Sequence, residues 1–366
     1  MLDTIAIKFF LGKYKGNYYQ EKAWRVLLKA LVTAGNCDEN GKSINPNEPI
    51  RDILEKTIRF SYPRYYHSNN AYLVKSKEEC LVVNKFLVKV ITNETAKLSM
   101  NLDLTSDVYK YLCENLEISI IRVDVPFTYI MPEKHKFESY FNLYNFLEDV
   151  YKLEEKKGGS KDIGKNLKKQ TVYYCDTGDF RNYNRKITIY NQAEKIRSGK
   201  LSEGELTLTY QKNPDLDSRM RIEVSKRIQR KPFTLEQFAE FDIYSAYVGA
   251  YAKYLIDTLL NPENVEKVKI QKLEELKEKL QIFRKSSDFN YSIFISMYRN
   301  SIYDWDILRQ AIMDTSSNEN TGYHGTSKAK KVLKELEEVD GIIYFDMFGT
   351  IEKIRKMISK YCKGVK

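Results

Sequence analysis

Two acidic residues lie in strand-like segments beside arginines, a combination that suits metal and phosphate chemistry. Asp124 lies in IIRVDVPF, where it shares one strand face with Arg122 while isoleucine and valine occupy the other. An acid inside so apolar a strand is costly unless it has a partner, and the obvious partners are a divalent cation and the adjacent arginine. The residues alone leave two interpretations open, a metal ligand and an Arg–Asp pair inside a sheet.

The second acid is Glu223 in SRMRIEVSKR, and it shares its strand face with Arg219, Arg221 and Ser225. If that face lines the same cleft as Asp124, two carboxylates and several arginines surround one point. Oxygen ligands of this kind suit Mg²⁺ or Mn²⁺, and guanidinium groups suit phosphate oxygens. A solvated sheet face with cross-strand ion pairs is the alternative.

A tyrosine ends a third strand-like segment, RKITIY, directly before a polar segment that is compatible with a helix. A phenol is a poor nucleophile at its ordinary pKa of about 10. Beside a metal and cations that lower this pKa, Tyr190 could attack a phosphodiester and form a covalent ester. If the helix begins at Tyr190, Glu194 lies one turn along on the same face and could orient the hydroxyl. The structural alternatives are packing for this tyrosine, one of 28, and a surface charge for Glu194.

These residues require a sheet to position them, and the sequence predicts strands in the first two thirds of the chain. Residues 2–10 alternate as an edge or half-buried strand, and further strands are predicted in ISIIRVDVPF, TVYYCDT, RKITIY and MRIEVSK. Helical spacing predicts helices in SKEECLVVNKFLVKVI and over residues 137–153. Polar loops are expected over residues 36–49 and 154–170.

From about Asp242 onward the predicted elements are helices, and a linker, TSSNENTGYHGTS, is expected before the last two. The simplest architecture is therefore α+β. It consists of a mixed domain over residues 1–240 and a helical C-terminal domain over residues 241–366.

The composition favours a polyanionic partner. The 366-residue chain has a net charge of +10 and a pI near 9.0, which points to nucleic acid first and an anionic membrane surface second. Aromatic and basic residues are interleaved in RYYHSNNAY, DFRNYNRK and SKRIQRKPF. This mixture suits single-stranded nucleic acid, because rings stack on bases and cations follow the phosphates.

Several function classes are disfavoured. The sequence has no Walker or GxGxxG loop, and His67, His135 and His324 are isolated, which argues against NTPases, dinucleotide enzymes and histidine-based sites. Five dispersed cysteines form no zinc-type pair and are expected to be reduced thiols. The start MLDTIAIKFFLGKYK lacks a signal-peptide pattern, and no apolar run approaches about 18 residues. We therefore expect a soluble cytoplasmic protein without a membrane partner.

Four segments occur in an order that resembles a known family. MLDTIAIKF is similar to a Met-Ile-Asp start, SYPRYYHSNNAYL to a Ser-x-Pro-basic segment ending in Gly-x-Asn, and IIRVDVPF to a Ser-Arg-Ile-Asp motif. The family's strand with a Tyr-x-Lys…Glu junction is similar to TVYYCDTGDFRNYNRKITIYNQAEKI. Its Arg-[Phe/Val]-Glu strand is similar to SRMRIEVSKR. Over about 230 residues the chain thus resembles the gene II/gene X replication initiators of filamentous phages. More loosely, it resembles the Rep_trans group of rolling-circle plasmid Rep and transposon relaxase proteins.

The resemblance implies a replication-initiating endonuclease with the central antiparallel sheet of the HUH-type nucleases, in a branch that does not require the histidine pair. Such an enzyme nicks one strand at an origin and keeps the 5′-phosphate as a phosphotyrosine. It leaves a 3′-hydroxyl for polymerase and later rejoins the ends. The implied nucleophile is Tyr190, with Glu194 as its helper. Asp124 and Glu223 are the implied ligands of Mg²⁺ or Mn²⁺. DNA contacts are implied for Arg122, Arg221, Lys186, Arg219, Asn70 and Arg64.

Two positions depart from the family pattern. Gln192 stands where a lysine is usual, two residues after the tyrosine, so Lys186 or Lys195 would have to supply the lost cation. Asn69 or Ser68 stands where the family has a glycine before the asparagine, which alters the expected loop geometry.

The sequence therefore predicts a metal-dependent nicking and closing endonuclease that starts rolling-circle replication of a phage or plasmid in a bacterial cytoplasm. The expected partners are single-stranded or hairpin origin DNA, a host helicase and polymerase, and further copies of the chain in a homo-oligomer. A relaxase of a conjugative or integrative element performs the same chemistry on a transfer origin. A non-catalytic DNA-binding replication regulator would share the basic charge and the aromatic faces, so both alternatives stay open.

Overall fold

A computed structural model describes residues 1–36, 42–48, 53–67, 69–102, 106–154, 163–166, 170–177, 182–199, 201–287 and 289–362. The remaining residues include parts of both predicted polar loops, namely 37–41, 49, 155–162 and 167–169, and the predictions for these residues lie outside the described ranges. Ser68 lies outside them as well.

The described chain forms seven strands and fourteen α-helices. The strands are β1 (Thr4–Lys13), β2 (Ile53–Ser61), β3 (Glu117–Ile130), β4 (Ile163–Asn166), β5 (Thr171–Cys175), β6 (Arg185–Asn191) and β7 (Arg219–Arg227). The helices that precede β5 are α1 (Tyr18–Thr33), α2 (Pro63–Tyr66), α3 (Lys77–Asn101), α4 (Ser106–Asn115) and α5 (Phe141–Glu154). Those that follow β6 are α6 (Gln192–Arg197), α7 (Glu203–Lys212), α8 (Leu235–Ala239), α9 (Ile243–Asp257), α10 (Pro262–Arg284), α11 (Tyr291–Tyr298), α12 (Trp305–Asp314), α13 (Glu319–Asp340) and α14 (Met347–Cys362).

All seven strands belong to one sheet, in the order β2-β1-β3-β7-β6-β5-β4. β1 pairs antiparallel with β2 and β3, and β5 pairs antiparallel with β4 and β6. The predicted α+β class is confirmed. The edge-strand alternative for the first strand is wrong, because β1 lies between two partners and its Ile5, Ile7 and Phe9 are fully buried.

The sequence analysis missed two strands. β4 falls within the segment predicted to be a loop, since its glycine, lysine and asparagine have low strand propensity. Its backbone nevertheless pairs with β5 from Ile163↔Tyr174 to Asn166↔Thr171. β2 pairs with β1 over nearly its whole length, and this long-range partner stabilises a segment whose own alternation is weak.

The chain divides into two compact units, and the predicted boundary near residue 240 does not coincide with this division. The first unit comprises Met1–Pro126, Glu203–Glu205 and Glu223–Val248, and the second comprises Phe127–Ser202, Leu206–Ile222 and Gly249–Lys366. β3 and β7 each contribute residues to both units. The C-terminal helices belong to the same unit as β5 and β6.

In the first unit, helices α3 and α4 pack against α1, and α8 packs against α3. α3 begins with a capping box in which the Ser76 hydroxyl accepts from the Glu79 amide and the Glu79 carboxylate accepts from the Ser76 amide. Inside the unit, the buried Asn84 side chain donates to the Phe238 carbonyl at 3.2 Å and to the Phe241 carbonyl at 3.0 Å. These bonds satisfy carbonyls at the end of α8, so they attach this helix to α3.

In the second unit, the linker predicted over residues 315–327 is wrong beyond its first four residues. α13 begins at Glu319, with the Asn318 side chain accepting from the Thr321 amide. The glycines that favoured a linker instead allow close helix packing: a Cβ on Gly322 would lie 2.7 Å from the Met313 sulfur. Tertiary packing therefore overrides the weak helix propensity of this segment.

Candidate functional site

Asp124 occupies an interior strand of the sheet. Thr4 lies opposite it on β1, and the Asp3 amide donates to the Asp124 carbonyl at 3.1 Å. The side chain is 3% exposed, and its Oδ1 atom lies 3.3 Å from Arg122 Nε. The Arg–Asp pair considered from the sequence is therefore present, inside the first unit.

The register of β3 against β7 places Glu223 beside this pair. The Ile228 amide donates to the Ile121 carbonyl at 2.9 Å, and counting along an antiparallel pair from there puts Ser225 opposite Asp124. The Ser225 hydroxyl donates to the Asp124 carboxylate, in agreement with this register. Glu223 lies two residues before Ser225, so it shares the face and is the diagonal neighbour of Asp124, roughly 7 Å away by strand geometry. The two acids are therefore neighbours on one face of the sheet within the first unit.

The environment of Asp124 disfavours its ionised form. Burial raises its pKa to about 6, and the negative charge of Glu223 contributes in the same direction. Arg122, the Ser225 hydroxyl and Arg59 lower the pKa without cancelling these effects. Among the described residues, no donor forms a hydrogen bond to Asp124 Oδ1. Additional positive charge would therefore stabilise the ionised carboxylate.

A row of arginines crosses the same sheet face one step away. Arg122 lies opposite Ala6, and Ala6 lies opposite Arg59 on β2. The β3–β7 register places Arg227 on the far side of Arg122. Arg59 and Arg227 are exposed, whereas Arg122 is half-buried. Cations in adjacent strands repel one another unless an anion lies between them, so this row is suited to a phosphate backbone.

Sequence reasoning missed Arg59 and Arg227. Arg59 belongs to the unpredicted strand β2, and only its pairing with β1 brings it to Arg122. Arg227 continues the alternation of Arg219, Arg221 and Glu223, so that alternation could have identified it.

The acid pair fits a divalent cation only in part. Within the described ranges, no group of three or more histidine, cysteine, aspartate or glutamate side chains could hold a metal ion. Two carboxylates are, however, sufficient for Mg²⁺ when substrate phosphates and water complete its coordination. Asp124 and Glu223 would hold such an ion, with oxygen atoms of the type that Mg²⁺ and Mn²⁺ prefer.

Tyr190 belongs to the second unit, and it is a strand residue. It lies opposite Thr171 of β5, is 2% exposed, and has Lys195 Nζ 5.1 Å from its ring centroid. α6 begins only at Gln192, because the Asn191 side chain accepts from the Ala193 and Glu194 amides and caps the helix. The premise that the helix begins at the tyrosine is therefore wrong.

Glu194 lies on the surface of α6, with Oε2 3.6 Å from Arg197 Nη1. Arg197 also pairs with Asp217. The structure thus places Glu194 in a surface ion-pair network, the structural alternative noted for it.

Gln192, the departure from the family pattern, is fully buried. A lysine ammonium at this position would need a buried counter-charge, whereas an uncharged amide does not. Lys186 is half-buried, and its ammonium lies over the Tyr183 ring at 4.2 Å and over the Tyr173 ring at 5.8 Å. The Lys195 ammonium lies over the Tyr190 ring, so of the two lysines Lys195 is better placed to replace the missing lysine.

The two arginines that start β7 differ in environment. Arg219 holds Asp215 in a bidentate pair, Nη2 to Oδ1 at 2.7 Å and Nε to Oδ2 at 3.0 Å, and also donates to Asn213 Oδ1 at 3.2 Å. Arg221 is fully buried, which is unusual for an arginine. Arg219 is therefore held by an acid and an amide of the second unit, and Arg221 of the same unit is shielded from solvent.

The predicted contacts Arg64 and Asn70 belong to the first unit. Arg64 is exposed on α2, and Asn70 is half-buried in the following turn. The Asn69 side chain accepts from the Ala71 amide at 2.8 Å, so an Asx-type turn shapes the loop where the family has a glycine.

Comparison with protein-family models, curated proteins and solved structures finds no match for this chain. Among its described helices, none is long and apolar enough to cross a bilayer. The site must therefore be interpreted from its own chemistry: a buried acid with a raised pKa, a second acid on the same face, and an arginine row beside them.

Proposed function

We propose that this chain is a replication initiator endonuclease that nicks and rejoins one DNA strand at a phage or plasmid origin. The observation that carries the proposal is the acid pair Asp124 and Glu223 beside the Arg122 row, on one face of a largely antiparallel sheet. Such a face supplies ligands for a metal ion together with cations for the phosphates of a strand. An HUH-type organisation of the sheet is part of this proposal.

In the proposed reaction the Tyr190 hydroxyl oxygen attacks the phosphorus of one phosphodiester as its proton leaves to solvent. The bond from phosphorus to the 3′-oxygen breaks, and that oxygen takes up a proton to become the free 3′-hydroxyl. The 5′-phosphate stays on Tyr190 as an ester, and attack by a 3′-hydroxyl reverses the step and rejoins the strand. No bond energy is lost, so no nucleotide cofactor is required.

The chain's own residues divide the remaining work. Arg122, with Arg59 and Arg227 in line, would bind the phosphates on either side of the scissile bond. Asp124 and Glu223 would hold Mg²⁺ or Mn²⁺, which when bound polarises the phosphate and stabilises the charge that develops on it. Tyr190 is buried in the free protein, so its hydroxyl must become accessible when the strand binds.

That burial is the observation that favours the second candidate, a non-catalytic DNA-binding replication regulator. Both candidates bind DNA, but only the nuclease forms a covalent adduct. A relaxase would also form one, on a transfer origin.

The test uses a labelled random-sequence library of single-stranded DNA, because the origin sequence is not needed in advance. We expect wild type with Mg²⁺ or Mn²⁺ to form an adduct that survives denaturing electrophoresis, and Tyr190→Phe to form none. Tyr173→Phe, which removes a neighbouring hydroxyl on β5, is the matched control and should retain the adduct. Absence of an adduct with wild type would support the regulator instead, whereas its persistence in Tyr190→Phe would exclude Tyr190 as the nucleophile.

A further inference from the structure

The junction between β1 and α1 presents three exposed tyrosines on the first unit, one in the connecting loop and two in the first turn of α1. Tyr14 is 36% exposed, Tyr18 is 60% exposed and Tyr19 is 40% exposed. The lysines interleaved with them are Lys13, Lys15 and Lys22. We call these six residues the tyrosine–lysine platform. Exposed rings of this size, grouped within six residues, are unusual for a surface without a ligand.

The platform is held in a defined shape by a buried glutamine. Gln20 Nε2 donates to the Leu11 carbonyl at 2.9 Å and to the Lys13 carbonyl at 3.0 Å, and its Oε1 accepts from the Lys15 amide at 3.2 Å. Gln20 is 4% exposed, so these bonds are shielded from water. Gly16, at φ 71°, makes the turn that a residue with a side chain would resist.

Two of the three exposed rings pack against each other. Tyr18 and Tyr19 meet edge to face at 5.6 Å, and Tyr111 of α4 lies stacked against Tyr19 at 6.4 Å. Lys22 Nζ lies 5.6 Å from the Tyr18 ring centroid. These contacts order Tyr18 and Tyr19 before any ligand arrives, which lowers the entropy cost of binding.

The charge of the platform is positive. Residues 11–22, all of them described, contain three lysines and a single acid, Glu21, which pairs with Arg25 at 3.4 Å. The pair cancels its own charge and leaves the lysines to act on a ligand. A polyanion with flat apolar groups matches both features of this surface.

We propose that the tyrosine–lysine platform binds single-stranded DNA at a second place, separate from the acid pair. Thr4, opposite Asp124, lies at one end of β1 and Lys13 at the other, roughly 30 Å apart by strand rise. Unpaired bases can stack on the tyrosine rings while the lysines follow the phosphates, whereas duplex DNA keeps its bases covered. The inference rests on the proposed function for the choice of DNA as the strand.

A strand that occupies both places needs on the order of nine stacked nucleotides. The platform would therefore retain a long strand beside the nick without taking part in the chemistry. Its loss should weaken binding of long strands and leave the reaction on short strands unchanged.

The test measures affinity for oligothymidylate longer than about 16 nucleotides by fluorescence anisotropy. Tyr14→Leu/Tyr18→Leu keeps the apolar bulk but removes the flat rings, and we expect affinity to fall roughly tenfold or more. Lys13→Gln/Lys15→Gln should make the slope of log affinity against log salt shallower by about 1.4, the value for two phosphate contacts. Tyr323→Leu, at a tyrosine 58% exposed on α13, is the control and should change neither quantity.

Three outcomes would overturn the inference. The first is an unchanged affinity for oligothymidylate in the tyrosine variant. The second is an equal loss of affinity in that variant for heparin, which has charge but no bases. The third is an equal loss of its affinity for duplex DNA. The result is independent of nicking, because oligothymidylate binding requires no adduct. A strand of about six nucleotides selected from the library is too short to span both places. On such a strand, both platform variants should give the same yield of covalent adduct as wild type. If the proposed function is wrong, the adduct assay will show it, whereas the oligothymidylate affinities measured by anisotropy will not.

Discussion

Asp124 is the residue whose titration distinguishes this site from an ordinary ion pair. Its folded-state pKa of about 6 lies above its ordinary value, so folding favours the protonated carboxyl. The resulting contribution to stability is fully present below the unfolded-state pKa and is lost as pH rises through about 6. A simple surface Arg–Asp pair would lower the pKa and reverse this dependence.

We therefore predict that Asp124→Asn raises the free energy of unfolding more at pH 8 than at pH 4, by a difference of up to about 3 kcal/mol. Denaturant unfolding of wild type and variant at both values measures it. Glu223→Gln removes the neighbouring negative charge and should shift the wild-type dependence to lower pH. An identical pH dependence in all three proteins would show that Asp124 is not the titrating group.

A second prediction concerns the cation that the acid pair would hold. Mn²⁺ at pH 8 should raise the melting temperature of wild type, because a ligand that binds only the folded state stabilises it. The shift should shrink as pH falls below about 6, where protons compete for Asp124, and should vanish in Asp124→Asn. Asp215→Asn, which removes a carboxylate of the second unit already bound to Arg219, is the control that should keep the shift. Equal shifts in both variants would place Mn²⁺ elsewhere.

At the scale of elements, a single buried carboxylate connects two helices of the second unit. Asp304 Oδ1 accepts from the Asp306 amide at 2.9 Å and caps α12. Its Oδ2 accepts from the Met347 amide at 2.9 Å and the Phe348 amide at 3.3 Å, at the start of α14. The amides that Asp304 caps, those of Asp306 and Met347, lie more than 40 positions apart in the chain. Asp304 therefore fixes how α14 meets α12.

Asp304→Ala should therefore lower the free energy of unfolding by about 2–3 kcal/mol, since two caps are lost and amides are left without acceptors. Asp304→Asn retains one acceptor oxygen and should cost about half as much. Asn318→Ala, at the exposed N-cap of α13, is the comparison and should cost about 1 kcal/mol. Chemical denaturation of the three variants gives the order, and an equal cost for all of them would contradict the double-cap assignment.

Elements were predictable from sequence where the pattern is local. Alternation identified β1, β6 and β7, and helical spacing identified α3, because these signals arise from neighbouring residues. β2 and β4 were missed since their strand pairing is decided by β1 and β5. The start of α13 was missed because its glycines are explained only by the helices that pack against them.

The same distinction applies to the site. The shared face of Glu223 and Ser225 follows from strand periodicity, but the proximity of Glu223 to Asp124 depends on the β3–β7 register. Arg59 could not be predicted, because its place beside Arg122 depends on the β1–β2 register. The capping role of Asn191, which displaces Tyr190 from α6 into β6, depends on a backbone geometry that composition does not specify.

At the scale of the whole molecule, the charge and the distribution of functional side chains agree with a protein that handles a polyanionic strand. The net charge is +10, and the first unit carries both the arginine row beside the acid pair and the tyrosine–lysine platform at the other end of β1. Tyr190 lies in the second unit.

The most direct measurement of the central claim is the residue to which DNA becomes attached. Wild-type protein is incubated with the single-stranded library and Mn²⁺, digested with nuclease and trypsin, and analysed by tandem mass spectrometry. The account predicts a nucleotide 5′-phosphate on the peptide that contains Tyr190, and on no other of the 28 tyrosines. Attachment to a different tyrosine, or a complete absence of modified peptide at the pH where Asp124 is ionised, would contradict it.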